Sequence, residues 1–176
     1  MGTATSIPEH GNAHLEIMKR YSNLAVFSAM LHDESKGEIT PIGDLDFSIQ
    51  YELNKNDEKE LKEGLIACAK LMFASGAKRI IIPANPIIEI KNEDEILKQL
   101  DFNFKKLNID ITAVHPMSSV PMGDDSSKFA VGSNGKYLHL DGLWIADGSL
   151  FPTSIGVPPQ ISIYSMGLHV GEQIIS

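Results

Sequence analysis

The feature that most constrains the fold is one long amphipathic segment in the middle of the chain, NKNDEKELKEGLIACAKLMFASGAK at residues 54–78. It begins with Asn and Asp residues, which cap helices by accepting free backbone N–H groups. Apolar residues then recur at helical spacing, at Leu61, Leu65, Cys68, Ala69 and Met72. Gly76 supplies a C-cap. The segment therefore predicts a single long helix.

Strand signals precede this helix. LAVFSAML at 24–31 and EITPI at 38–42 are expected to pair as a hairpin, with Gly37 giving the turn DESKG its conformational freedom. FSIQYEL at 47–53 alternates apolar and polar residues, as a half-buried strand does.

Further strand and helix signals follow the helix in no regular order. We predict strands in RIIIP (79–83), LNIDITAV (107–114) and YLHLDGLWIAD (137–147, with an Asp-Gly turn), a short helix in NEDEILKQLDF (92–102) and a final helix in PPQISIYSMGLHVGEQII (158–175). Strands separated by isolated helices, without βαβ alternation, indicate an α+β fold with an antiparallel or mixed sheet and flanking helices. The 176 residues are expected to form a single domain.

Charge and residue usage exclude several classes of function. The net charge of −8 argues against a nucleic-acid-binding surface, which needs clustered Lys and Arg. A single cysteine, Cys68, excludes an internal disulfide and a multi-cysteine metal site, and it favours a reducing, cytoplasmic setting. His10 and His14 flank a glycine in an expected loop, so no metal site is predicted. No apolar run approaches the roughly 20 residues of a membrane span.

Two blocks near the carboxyl terminus carry a chemical signature. The first is the irregular stretch HPMSSVPMGDDSSKF at 115–129, and the second is GLWIADGSLFPTSIGVPPQ at 142–160. Together they resemble the carboxyl-terminal segment of the glucose–methanol–choline (GMC) family of flavin-dependent oxidoreductases. That family has His-x-x-Gly-Thr-x-x-Met-Gly, and then Gly-Leu-x-Val-x-Asp-x-Ser-x-Phe-Pro-Thr-Ser-x-Gly-x-Asn-Pro about 30 residues later. The order and spacing agree.

The resemblance implies an FAD-dependent oxidation of an alcohol. His115 stands where the family has its active-site base, and a residue that titrates near neutrality suits the removal of a hydroxyl proton. Asp147 and Gly148 would approach the flavin in an Asp-Gly-Ser turn. The loop ending at Pro159, Gln160 and Ile161 would bring a helix start to the flavin ring, where free N–H groups stabilise negative charge.

The chain departs from the family pattern in ways that bear on function. Pro158 replaces the usual Asn or His before the proline, and Ser118-Ser119 replaces Gly-Thr. The sequence contains no Gly-x-Gly-x-x-Gly, the fingerprint that holds the dinucleotide of FAD. The chain thus looks like the carboxyl-terminal, substrate-domain half of a GMC enzyme without its nucleotide-binding domain: a separate subunit, a split-gene product or a truncated fragment. We expect a partner chain to carry that domain, and we expect the last helix to pack on it.

Two other interpretations of the sequence stay open. A non-catalytic remnant that folds alone and binds an apolar ligand or a protein is favoured by Pro158 and by the missing fingerprint. A hydrolase that uses Ser118 or Ser119 has little support, because no Gly-x-Ser-x-Gly elbow is present.

Overall fold

The long helix forms as its sequence predicts. In the computed structural model, which describes residues 2–7, 10–101, 108–109 and 111–176, it spans Lys55–Ala74. The side chain of Asn54 caps its start by accepting hydrogen bonds from the N–H groups of Asn56 and Asp57. Gly76 follows the helix with a φ of +93°, the left-handed conformation of a C-cap glycine.

The long helix belongs to the first of two compact units, Met1–Ile111 and Thr112–Ser176. The elements of the first unit, in chain order, are α1 (Gly2–Thr5), α2 (Gly11–Met18), β1 (Glu38–Ile42), β2 (Asp46–Gln50), α3 (Lys55–Ala74), β3 (Ile80–Ile82), β4 (Ala84–Asn85), β5 (Ile88–Ile90), α4 (Ile96–Gln99) and β6 (Asn108–Ile109). Short 3₁₀ turns at Tyr21–Asn23 and Glu93–Glu95 complete the described elements of this unit. The expectation of a single domain stays a prediction.

The strands pair only locally. Over the described ranges they form three two-stranded antiparallel sheets, β1–β2, β3–β5 and β4–β6. This is an α+β arrangement, as predicted, with small separate sheets. The core of the unit lies between α3, α4 and the β3–β5 pair; its buried members are Ala69, Ile80, Ile82, Ile90, Ile96 and Leu100.

The predicted hairpin between residues 24–31 and 38–42 is wrong. β1 pairs instead with β2, across a tight turn in which Gly43 has a φ of +62°. The structure has no turn around Gly37; the backbone N–H groups of Glu34 and Ser35 donate instead to the carboxylate of Asp57. Residues 24–31 consequently form no strand.

Two other strand predictions are only partly met. In residues 107–114 the strand is limited to Asn108–Ile109; residues 107 and 110 lie outside the described residues, and 111–114 are not in a strand. In residues 137–147 the described chain has only isolated pairings. Lys136 pairs with Trp144 across the predicted Asp141–Gly142 turn, and Tyr137 pairs with Val131.

The second unit is mostly irregular and ends in α5 (Gln160–Ile175), the predicted final helix. Its small core consists of Val131, Leu150 and Val170, with Trp144 among the half-buried residues packed against it. A Cβ on Gly135 would lie 2.5 Å from Val170 Cγ2, so only glycine allows this approach to α5. An apolar stripe of α5, formed by Ile161, Tyr164, Leu168 and Ile175, is exposed to solvent.

Candidate active site

The irregular stretch that begins at His115 lies along the Asp-Gly-Ser turn. Its backbone N–H groups donate to successive carbonyls of that turn: Ser118 to Gly148 at 3.3 Å, Val120 to Ser149 at 3.1 Å and Met122 to Leu150 at 3.1 Å. These bonds hold a segment that is neither helix nor strand, so its backbone polar groups are paired without a regular element. The two sequence blocks are thus adjacent in space as well as ordered in sequence.

Asp147 shapes the turn itself. Its Oδ1 accepts hydrogen bonds from the N–H of Ser149 at 2.8 Å and from the Oγ of Ser149 at 2.5 Å. It thereby caps the 3₁₀ turn Gly148–Leu150. Both contacts of Asp147 are local, and they fix the loop that lies against the stretch headed by His115.

Gly148 allows the two blocks to approach closely. A Cβ at this position would stand 3.4 Å from Pro116 O and 3.4 Å from Ile163 Cδ1. These are ordinary contact distances, so Gly148 packs directly against the segment that follows His115 and against the first turn of α5.

A cleft of about 360 Å³ opens where these parts meet. His115 is half-buried in its wall. The lining residues are Val114, His115, Pro116, Ser119, Asp147, Gly148, Ser149, Pro159 and Ile163. Of the predicted site residues, the cleft thus brings together His115, Asp147, Gly148 and Pro159.

The start of α5 contributes to the site through its backbone. Pro159 is buried at the helix N-terminus, and its carbonyl accepts the N–H of Ile163 at 2.9 Å. The first-turn N–H groups, at Gln160, Ile161 and Ser162, have no acceptor among the described residues. The predicted residues Gln160 and Ile161 do not line the cleft: Gln160 donates to Tyr164 Oη at 2.6 Å, and Ile161 is 81% exposed.

Ser118 is a residue whose role sequence reasoning missed. Its φ of +66° lies in the left-handed region, where it is the only non-glycine residue of the described chain. Its Oγ is buried and has no hydrogen-bond partner within the described residues. The sequence signal was available, because Ser118 stands where the resembled motif has glycine, the residue that adopts this conformation freely.

The other histidines lie outside the cleft. His139 is exposed and stacks edge-on against Tyr137, and His169 is exposed with its Nε2 3.1 Å from Ser133 O. His14 bonds the carbonyl of Ala4 through Nε2. Across the described part of the chain no cluster of three metal-ligating side chains occurs. No helix in the same residues is long and apolar enough to cross a membrane.

Comparison with known proteins gives a consistent result. Residues 33–167 match the family model for GMC oxidoreductases, in the C-terminal domain of that family. An uncharacterized GMC-type oxidoreductase of Mycobacterium tuberculosis is 27% identical over 172 residues, which are 96% of this chain and 27% of that protein. Two long-chain-alcohol oxidases of Arabidopsis thaliana, FAO4A and FAO3, are 29% and 26% identical and align with 90% and 89% of the chain. The match is 22% of the length of each oxidase, so the chain spans about a quarter of the curated relatives it matches.

Proposed function

The chain belongs to the GMC oxidoreductase family through that family's C-terminal domain, and from this premise we propose that it forms the substrate-side part of an FAD-dependent alcohol oxidoreductase. The observation that carries the proposal is the cleft itself. A half-buried histidine, the Asp147–Gly148 turn and the start of α5 share one opening of about 360 Å³. A general base beside free helix N–H groups is an arrangement that suits alcohol oxidation.

His115 is the proposed base. Alcohol oxidation removes a proton from the hydroxyl oxygen and a hydride from the carbon. The imidazole of His115, which lies in the cleft wall, would take the proton. The turn formed by Asp147, Gly148 and Ser149 holds the His115 segment in place through the backbone bonds to Ser118 and Val120.

The residues present fit the ring end of a flavin and not its dinucleotide. Three unpaired N–H groups at the start of α5, beside a cleft of ring size, suit the electron-rich edge of a reduced ring. Bound FAD would supply the hydride acceptor. No Gly-x-Gly-x-x-Gly occurs in the given sequence to cradle the phosphates, so in this proposal the phosphates are held by a part of the complete protein outside these residues. The exposed stripe of α5 is the proposed packing surface for it.

Long-chain alcohols are the first substrates to test, because two separate observations favour them. The Arabidopsis relatives are long-chain-alcohol oxidases, and Val114, Pro116 and Ile163 give the cleft apolar lining. A reducing, cytoplasmic setting, expected from the single Cys68, remains a prediction.

A non-catalytic binding module is the second candidate, and Pro158 favours it. The resembled motif has Asn or His at this position, whereas the exposed proline offers no side-chain hydrogen bond to an alcohol. In this case the chain would bind its partner polypeptide without any flavin reduction.

One reconstitution separates the two candidates. The chain is combined with the M. tuberculosis relative from which the matching region has been removed, and the mixture is loaded with FAD. Anaerobic flavin reduction by dodecanol is followed in the visible spectrum. We expect His115→Ala to lower kcat by about 100- to 10,000-fold, the usual contribution of a general base, with little change in KM.

His139→Ala and His169→Ala are the matched controls, because both histidines are exposed and outside the cleft. Each should leave the rate within a few fold. A reconstituted enzyme that oxidises the alcohol equally well with His115→Ala would contradict the assignment of the base. A stable complex in which no variant reduces the flavin would favour the binding module.

A further inference from the structure

The hairpin formed by β1 and β2 carries an apolar face that is exposed along its whole length. Ile39 pairs directly with Ile49, and Pro41 pairs with Phe47. Directly paired residues lie on the same face of an antiparallel sheet, and so do residues two apart on one strand. These four side chains therefore form one surface, the hairpin face. Ile39, Phe47 and Ile49 are 56%, 59% and 63% exposed, and Pro41 is exposed as well.

The other side of the same hairpin is mostly polar. It consists of Glu38, Thr40, Ser48 and Gln50, with Ile42 and Asp46 paired next to the turn. Within the two strands only Ser48, on this polar side, is half-buried. An antiparallel sheet normally packs its apolar side and leaves its polar side in water, and a lone two-stranded hairpin is only marginally stable in water. The exposed apolar side therefore indicates a surface that a partner covers.

The strand edges are less suited to a partner than the hairpin face. Pro41 has no N–H to donate, and the N–H of Phe47, its direct partner across the hairpin, already donates to Asp46 Oδ1 at 2.8 Å. Prolines and charged side chains on edge strands disfavour the addition of another strand. A partner is consequently expected to contact the side chains of the face and not to extend the sheet.

Hydrogen bonds hold the base of the hairpin in a defined orientation. The hydroxyl of Tyr51, one residue beyond β2, donates to Asp33 Oδ2 at 2.6 Å, and the N–H of Asn54 donates to Ser35 Oγ at 2.8 Å. These bonds join the chain that leaves β2 to the chain that leads into β1. A base that is already ordered lowers the conformational entropy lost when a partner binds.

The charge around the hairpin face has one sign. Residues 37–54 contain four acidic residues, Glu38, Asp44, Asp46 and Glu52, and no Lys or Arg. Leu45, fully exposed in the turn, lies between Asp44 and Asp46 in the sequence. A membrane surface with anionic lipids would repel these carboxylates. The surface that fits is an apolar patch of another protein with basic side chains at its rim.

We propose that the hairpin face packs on an apolar, basic-rimmed surface in the part of a complete GMC protein that lies outside this chain. The hairpin lies within residues 33–167, the range that the family model matches. The relatives align with 96%, 90% and 89% of this chain, but the match is only about a quarter of each of them. The same region thus occurs there beside a much larger polypeptide. The identity of the partner rests on the proposed function, whereas the contact residues are argued from the hairpin alone.

Amide hydrogen exchange tests the proposal, with the truncated M. tuberculosis relative of the reconstitution as the partner. Neither alcohol nor turnover is needed. We expect the paired amides of β1 and β2 to exchange at least about tenfold more slowly in the complex, because a covered face suppresses the local opening of a marginal hairpin. Amides of α2, which lies outside the hairpin, serve as the internal reference.

Paired substitutions on the two sides of the hairpin test the face itself. The double variant Ile39→Thr/Ile49→Thr removes apolar area but keeps two β-branched residues, so the strands should still pair. We expect it to weaken binding by about tenfold or more. The control, Thr40→Ala/Ser48→Ala, changes the neighbouring direct pair on the polar side and should bind within a few fold of the original chain.

Two further measurements test the other possible occupants. Exchange of the chain alone at increasing concentration tests a second copy, and co-sedimentation with vesicles of phosphatidylcholine and phosphatidylserine tests a lipid surface. We expect neither protection of the hairpin in the chain alone nor binding to the vesicles. Protection that grows with the concentration of the chain, or vesicle binding that Ile39→Thr/Ile49→Thr abolishes, would overturn the proposal.

Three results with the truncated relative would also overturn it: no binding of the original chain, binding without protection of β1 and β2, or a double variant on the hairpin face that binds like its control. If the truncated relative does not fold, a chimera in which this chain replaces the matching region of that relative is used. There Ile39→Thr/Ile49→Thr should lower the Tm by at least about 2 °C more than Thr40→Ala/Ser48→Ala does, and an equal effect would overturn the proposal. A complex that forms through the hairpin face but oxidises no alcohol would count against the proposed function only.

Discussion

Position 118 combines a strained backbone with an unpaired side chain. Ser118 holds a φ of +66° while its N–H donates to Gly148 O, and its buried hydroxyl has no partner in the described chain. The strain is confined to the segment that places His115 in the cleft. The strained conformation persists because backbone hydrogen bonds from this segment to the Asp147–Leu150 turn hold it in place.

Ser118→Gly should therefore stabilise the protein. Glycine adopts the left-handed conformation without strain and removes the unpaired buried hydroxyl. These two effects outweigh the greater conformational freedom of glycine in the unfolded chain, so the free energy of unfolding should rise by about 1 kcal/mol. Urea unfolding measures it. Ser119→Gly is the control. Ser119 is exposed and has no positive φ, so this variant should lose stability instead. A destabilised Ser118→Gly variant would refute the account of strain.

At the scale of elements, Asp57 joins α3 to the segment that precedes β1. The residue is buried, and its carboxylate accepts hydrogen bonds from Glu34 N at 3.1 Å, from Ser35 N at 2.8 Å and from Ser35 Oγ. Burial acts to raise the pKa of Asp57, but the hydrogen bonds from Ser35 and Glu34 outweigh it and hold the pKa below its usual value. The ionised carboxylate of Asp57 is thus more stable in the folded chain than in the unfolded chain.

The sign of the pH dependence follows from this lowered pKa. The stabilisation by Asp57 is complete above the unfolded pKa of about 3.9, and it is lost as the pH falls through the folded value. At neutral pH we expect Asp57→Asn to cost about 2 kcal/mol, as loss of hydrogen bonds to a buried charged group does. The difference from the original chain should shrink in acid.

Glu58→Gln is the matched control for that measurement. It removes the same charge from the same helical turn, but Glu58 accepts no hydrogen bond among the described contacts. Unfolding of all three proteins by urea at a series of pH values gives the comparison. A cost of Asp57→Asn that is the same at acid and neutral pH would show that the carboxylate is not the group that holds the segment.

At the scale of the whole molecule, the proposed function gives the chain one end of a flavin site. The cleft and the start of α5 suit the ring, whereas the sequence has no loop for the phosphates. We expect the isolated chain to bind no FAD tightly, because most of the dinucleotide would make no contact with it. The visible spectrum of the purified chain and a fluorescence titration with FAD test this.

Addition of the flavin-binding polypeptide is the control for the FAD measurement, since the complete complex should retain the cofactor. A purified chain that is yellow and carries stoichiometric flavin would contradict the prediction. It would also mean that the phosphates are held by groups other than a glycine-rich loop.

The sequence by itself determined the two long helices, α3 and α5, and the family. The caps of α3 and α5, their periodic apolar residues and the two carboxyl-terminal blocks are all local, so contiguous residues were sufficient to predict them. The roles of His115, Asp147, Gly148, Pro159, Gln160 and Ile161 remain predictions. The first four of these residues line the cleft, whereas Gln160 and Ile161 do not, and the other lining residues were not predicted as site residues.

Only the tertiary structure decided how strands pair and which residues meet. Residues 24–31 have strand-forming side chains, but a strand needs a partner, and the expected partner β1 pairs with β2, while Glu34 and Ser35 donate hydrogen bonds to Asp57. The left-handed Ser118 and the exclusion of Gln160 from the cleft likewise depend on contacts between residues far apart in sequence. Strand pairing and side-chain contact each involve two segments, and the residue pattern of one segment does not say which other segment it will meet.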